Sequence, residues 1–204
     1  MKIVIASRNE DKIKEMSEIL QGSGIEILSL KEFTDIPEII EDKDTFKDNA
    51  LKKARLIFKQ TGIVALADDS GLEVDALEGR PGIYSARFAG KKATHEQNND
   101  LLITQMKHVP ENERTARFRC SLALVGKEIE IVTEGVSEGI ILSERKGNKG
   151  FGYDSLFFYP ELGLTFAELD SEKKNQISHR ALAFDKMRVF LDFIKEKHFF
   201  DWYS

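Results

Sequence analysis

Apolar and polar positions alternate along this chain in two rhythms, and the switches between them mark its elements. Ile3-Val4-Ile5-Ala6 is a continuous apolar run, which predicts a strand over residues 2–6 buried on both faces. Over residues 9–21 the rhythm becomes helical, with Ile13, Met16, Ile19 and Leu20 on one face, and Gly22 and Gly24 end it. Residues 25–30 alternate as a second strand, and an acidic loop runs from Pro37 to Asp44. Residues 45–60 predict a second amphipathic helix burying Phe46, Ala50, Ala54, Ile57 and Phe58, stopped by Gly62. Residues 63–67 and 72–77 read as strands, followed by a turn-rich loop around Gly79-Arg80-Pro81-Gly82. Residues 94–106 form a helix opened by a capping box, with Thr94 as the cap and Gln97 reaching back.

The central part changes character. Residues 116–125 and 129–142 are long alternating runs, typical of antiparallel strands with one solvated face. A Gly-rich segment, residues 146–152, interrupts them. A last amphipathic helix over residues 178–197 turns Ala181, Phe184, Met187, Phe190, Leu191 and Ile194 inward. The pattern is that of an α/β chain with a mixed sheet flanked by helices. It predicts one domain over residues 1–204, two lobes enclosing a cleft and no separable linker.

Composition narrows the class. The length of 204 residues is enough to bury a proper core. A formal net charge of −5 argues against a nonspecific nucleic-acid or anionic-membrane binder, whose affinity comes from clustered cations. It leaves room for a small anionic ligand. The lone Cys120 alternates like a strand residue, so it reads as a buried, inert thiol. No secretory signal is expected from the short run after Met1-Lys2, and no apolar stretch approaches the ~20 residues that span a bilayer. A cytoplasmic enzyme or binding protein is the working class.

Five segments carry candidate chemistry. In Ala67-Asp68-Asp69-Ser70-Gly71-Leu72 two adjacent carboxylates end an apolar run. Buried carboxylates need partners, and a hard cation such as Mg²⁺ would serve, although Asp, Ser and Gly equally make a tight turn. Ser7-Arg8-Asn9-Glu10-Asp11-Lys12 lies where the first strand meets the first helix, a place suited to a phosphate or simply to an N-cap with a solvated lysine. The acids Glu38, Glu41, Asp42 and Asp44 complement the next helix dipole, and one would become a metal ligand only by meeting Asp68 and Asp69 in space. Gly150-Phe151-Gly152-Tyr153-Asp154 offers an aromatic ring and open backbone to a flat ligand, or an aromatic-anchored turn. At Lys173-Lys174 and Ser178-His179-Arg180 the last helix begins with cations that oppose its dipole, so an electron-rich group should hold them there.

Together these segments resemble the inosine triphosphate pyrophosphatase family, the HAM1/RdgB-like enzymes. The matching motifs run in order: Ser7-x-Asn9-x-x-Lys12, Thr45-Phe46-x-x-Asn49-Ala50-x-x-Lys53-Ala54, the hexapeptide from Ala67 to Leu72, Pro81-Gly82-Ile83-Tyr84-Ser85-Ala86-Arg87-Phe88, Phe151-Gly152-Tyr153-Asp154 and Ile177-Ser178-His179-Arg180. The resemblance implies hydrolysis of ITP, dITP and XTP to the monophosphate and pyrophosphate, with Mg²⁺, by a cytoplasmic homodimer. It also implies an elongated α/β fold with the substrate cleft between two lobes. By position Asp69 matches the general base and a metal-site residue, and Ser70 a substrate contact. Ser7, Arg8, Asn9, Glu10, Asp11 and Lys12 match the phosphate-binding segment. Phe151, Gly152, Tyr153, Asp154, Lys174, His179 and Arg180 match the nucleotide-recognition residues. Members often carry consecutive acids and then Gly before Thr-Phe; here Ile40 and Lys43 depart from that, leaving Glu41 to join Asp69 and Asp68 as metal ligands.

The chemistry expected is attack of water at the α-phosphorus, with Asp69 taking the proton and donors such as Lys174, His179 or Arg180 pairing with the purine C6 oxygen. Two alternatives use similar parts: a Maf-like pyrophosphatase for another modified nucleotide, and a nucleotide-binding module without hydrolysis. A carboxylate-pair glycosidase fits poorly, because neighbouring strand residues point to opposite faces.

Overall fold

The computed structural model describes residues 1–196. Among the described residues seven strands form one sheet, in the order Glu26–Ser29, Lys2–Ile5, Ala65–Val74, Thr115–Val125, Glu130–Ile141, Phe157–Tyr159 and Leu164–Thr165, with five α-helices. The chain divides into two compact units, one of residues 1–69, 120–135 and the chain from 180 onward, the other of residues 70–119 and 136–179.

In the first unit β1 (Lys2–Ile5) pairs in parallel with β2 (Glu26–Ser29) and with the start of β3 (Ala65–Val74), Val4 facing Ala65 and Ile5 facing Leu66. Parallel strands buried on both faces need apolar side chains in both directions. Accordingly Ile3, Ile5 and Leu66 point into one core with Cys120, Leu122 and Leu124, while Val4, Ala6, Ala65 and Ala67 point into another with Ala123 and Val125. The first core is closed by α1 (Glu10–Ile19) and α5 (His179–Glu196), the second by α2 (Phe46–Thr61). Cys120 is sealed there, and burial pushes its thiol up to about 12, so it is inert as expected.

The second unit contains α3 (His95–Met106), α4 (Ser171–Ile177), β6 (Phe157–Tyr159) and β7 (Leu164–Thr165), with the remaining parts of β3, β4 (Thr115–Val125) and β5 (Glu130–Ile141). Its core is built on Phe118, Phe157 and Phe166, rings 4.6 to 5.8 Å apart. The capping box at Thr94 and Gln97 is formed in both directions. β4 and β5 are neighbours joined by a connection too short for a crossover, which makes them antiparallel.

Three expectations need correction. The hexapeptide is neither a turn nor the end of a strand: β3 runs unbroken from Ala65 to Val74 with both carboxylates in mid-strand. Phe190 is exposed, because it lies on the flank of the stripe made by Phe184, Met187 and Leu191. The segments β6, β7 and α4 fall where no element was read, being too short to show a period. The last residue expected in the terminal helix, Lys197, lies outside the described residues. Among the described residues no helix is long and apolar enough to cross a membrane.

Candidate active site

Alternation along β3 decides where its two carboxylates go. Asp68 follows the parity of Leu66 and faces α1 and α5; Asp69 follows that of Ala65 and Ala67 and faces α2. Both are buried, and each meets buried cations there.

On the first face Arg180 is fully buried at the start of α5 and directs Nε and Nη2 to Asp68 Oδ2 at 3.3 and 2.9 Å. Its Nη1 donates to Glu15 of α1, and Lys12 Nζ lies 3.1 Å from the same Asp68 oxygen. Burial alone would raise the Asp68 carboxyl, but Lys12, Arg180 and Lys53 hold it well below the usual carboxylate range. The electron-rich group needed at the cationic start of α5 is therefore a pair of carboxylates from the protein itself. Lys12 is not the solvated lysine of an ordinary cap, its side chain being only 16% exposed.

On the other face Lys53 of α2 lies between two acids, Nζ 3.0 Å from Asp69 Oδ1 and 2.5 Å from Glu41 Oε1. The loop carrying Glu41 is held by Asn49, whose amide accepts from Lys43 N at 3.0 Å and donates to Lys43 O at 3.2 Å. Burial raises the Asp69 carboxyl above its ordinary value despite Lys53 and Lys12, with the Glu41 charge adding to the rise. Glu41 moves down: burial opposes this, but Lys53 prevails.

Of the acidic loop, Glu41 approaches Asp69, through Lys53, while Asp68 is turned to the other face. Asp42 turns instead to Lys52 at 2.6 Å, and Glu38 and Asp44 are exposed. Among the described residues no group of three or more His, Cys, Asp or Glu side chains is arranged to hold a metal. Two carboxylates converging on one cation are nonetheless a donor set that suits Mg²⁺, which commonly takes one or two carboxylates and completes its shell with water and substrate phosphate.

At the start of α1, Asn9 is the cap, its Oδ1 accepting from Lys12 N at 3.1 Å, and Ser7 Oγ accepts from Asn9 N at 3.2 Å. Arg8 donates to Ile36 O at 3.0 Å, Glu10 pairs with Lys31 at 2.9 Å on the surface, and Asp11 is exposed. Of this segment, then, Lys12 alone reaches the carboxylates of β3, while Ser7 and Asn9 shape the helix start.

In the second unit the loop 150–154 is organised by Asp154, which accepts from Phe151 N at 2.9 Å and from Lys174 Nζ of α4 at 2.6 Å. Gly150 is needed there: its φ is +69°, and a Cβ would collide with Asp154 Oδ2. Tyr153 is buried and donates its hydroxyl to Ser85 O at 2.9 Å, so it anchors the turn. Phe151 is the half-exposed ring, with Lys174 Nζ 5.2 Å from its centroid. His179 stacks on Phe118 at 4.8 Å, and Ser70 is half-buried on β3. Tyr153 thus anchors the turn, and Phe151 is the aromatic side chain left half-exposed beside it.

Sequence reasoning gave no role to Lys53 or Glu15. The signal for Lys53 was present, since it lies with Ala50, Ala54 and Ile57 on the buried face of an amphipathic helix, where an unpaired cation is costly. Glu15 gives no such sign, because it occupies an ordinary polar position of α1.

The sequence model of the Ham1 family matches residues 3–190. The dITP/XTP pyrophosphatase of Desulforamulus reducens is 52% identical over 193 residues, covering 94% of this chain and 96% of that protein. The enzyme of the same name from Geobacter sulfurreducens is 50% identical over 183 residues, with coverages of 89% and 92%. Among solved structures, a HAM1 protein from Coxiella burnetii superposes with a TM-score of 0.85 at 40% identity, covering 94% of this chain and 98% of its own. The Staphylococcus aureus Ham1 protein gives 0.84 at 37%, with the same coverages. Matched in sequence across nearly all of its length and in fold to solved members, the chain belongs to the Ham1 family.

Proposed function

We propose that this protein hydrolyses non-standard purine nucleoside triphosphates, ITP, dITP and XTP, to the nucleoside monophosphate and pyrophosphate. The observation that carries this reading is the Asp69–Lys53–Glu41 group, a buried carboxylate with raised proton affinity beside a buried cation and a second, half-buried acid. Relatives named for dITP/XTP pyrophosphatase activity support it.

Hydrolysis between the α- and β-phosphates needs the triphosphate charge neutralised, a water aligned with the α-phosphorus and a base for its proton. Lys53, Lys12 and the N-terminus of α1 supply positive potential. Asp69 and Glu41 would hold Mg²⁺, which when bound neutralises phosphate charge and polarises the anhydride. Asp69 takes the proton of the water; its raised proton affinity makes it a better base than an exposed aspartate. Asp68, given over to Arg180 and Lys12, ties α1, β3 and α5 together behind it.

Phe151 stacks on the purine, and Lys174 or His179 donates to the oxygen at C6, where adenine carries an amino group and leaves the donor unmet. Arg180, with its guanidinium on Asp68 and Glu15, acts through Asp68. The same reading makes the protein a cytoplasmic homodimer acting on free nucleotides rather than on nucleic acid or membrane.

A panel of ITP, dITP, XTP, GTP, ATP and a 7-methylated GTP, assayed with Mg²⁺ for pyrophosphate and orthophosphate, tests the assignment. Preference for the first three with pyrophosphate as first product is expected. Preference for the methylated nucleotide would favour the Maf-like reading, and tight binding without turnover the binding-module reading.

A further inference from the structure

Two side chains of α3, one turn apart, hold the backbone of Gly152 from opposite ends. Gly152 N donates to His95 Nδ1 at 3.3 Å, and Gly152 O accepts from Asn99 Nδ2 at 2.8 Å. Gly152 has a φ of +63°, so its peptide groups lie outside any strand or helix and need partners from elsewhere. The His95 ring also lies against Phe151, centroids 5.9 Å apart.

The state of Asn99 indicates what it does. It is 4% exposed, and its Oδ1 makes no hydrogen bond among the described residues. A buried amide with one group unmet contributes little to stability, so its single bond to Gly152 is the feature that accounts for it. The neighbouring Asn98 does the equivalent job elsewhere, with both amide groups bonded to the backbone of Ala86 and Ala89. The start of α3 is therefore a rigid, box-capped platform that fixes two loops by their backbones.

We propose that His95 and Asn99 are positioning residues for nucleotide recognition, setting through Gly152 the pose in which Phe151 meets the purine. This rests on the reading of the 150–154 loop given above. The bond from Gly152 N uses His95 Nδ1 as its acceptor. The charged groups around this corner are Lys174 and Asp154, paired beside Phe151, and Arg145, bonded to Glu96 O and to Asp100 along α3.

The test is KM and kcat for dITP in the wild type and in His95→Leu, His95→Gln, Asn99→Ala and Phe151→Ala. Expected are rises in KM of roughly 3- to 10-fold in His95→Leu and Asn99→Ala, the worth of one hydrogen bond, with kcat within about twofold. His95→Gln, which keeps an acceptor for Gly152 N, should retain the wild-type KM. Unchanged KM in both His95→Leu and Asn99→Ala, with a raised KM in Phe151→Ala, overturns the proposal alone. Unchanged KM in Phe151→Ala overturns the reading of the loop on which it stands.

Discussion

Burying an ammonium beside a buried and a half-buried carboxylate desolvates them, and Lys53 lies between Glu41 and Asp69 at 2.5 and 3.0 Å. The arrangement is poised more than it is stabilising. Removing the cation leaves two acids facing each other, so Lys53→Met should cost about 3 kcal/mol of stability, measurable by chemical denaturation. It should also change the pH profile in a defined direction. Burial already raises the Asp69 carboxyl and Lys53 restrains it. Without Lys53 the carboxyl rises further, Asp69 is protonated at a higher pH, and the acid limb of kcat moves upward. An unmoved acid limb would remove Asp69 from the role of base. Asp69→Asn tests the same residue without a change of shape, and turnover should fall by about 10²-fold or more.

At the scale of elements, the loop 150–154 and the strand β3 show how local sequence is overruled. Gly150→Ala retains a small side chain but places a Cβ against Asp154 Oδ2 at a left-handed φ. The carboxylate must then shift from Phe151 N and Lys174, and KM for dITP should rise several-fold, on the order of the loss of one charge-assisted hydrogen bond. Steady-state kinetics beside a melting curve distinguishes this from general unfolding. The helices α1, α2 and α5 were legible because each carries a sustained helical stripe, and α3, which buries Asn98 and Asn99 beside Leu102, because of its capping box at Thr94 and Gln97. Asp68-Asp69-Ser70-Gly71 was not legible as strand, since what keeps it extended is distant: Arg180, Lys12 and Lys53 neutralise its charges. β7, two residues long, has no pattern of its own to read.

At the scale of the whole molecule, the chain places one kind of chemistry in each compact unit. The first holds the opposed carboxylates of β3 with their cations; the second holds the aromatic loop and its lysine. The site residues were visible in the sequence as motifs, while their division of labour was not. Two adjacent aspartates read as interchangeable until strand parity sent Asp68 to Arg180 and Asp69 to Lys53. The proposed hydrolysis rests on attack of water at the α-phosphorus. Single-turnover hydrolysis of dITP in ¹⁸O-labelled water, with both products examined by mass spectrometry, tests it most directly. The account predicts the label in the nucleoside monophosphate and none in pyrophosphate; label in pyrophosphate would contradict it.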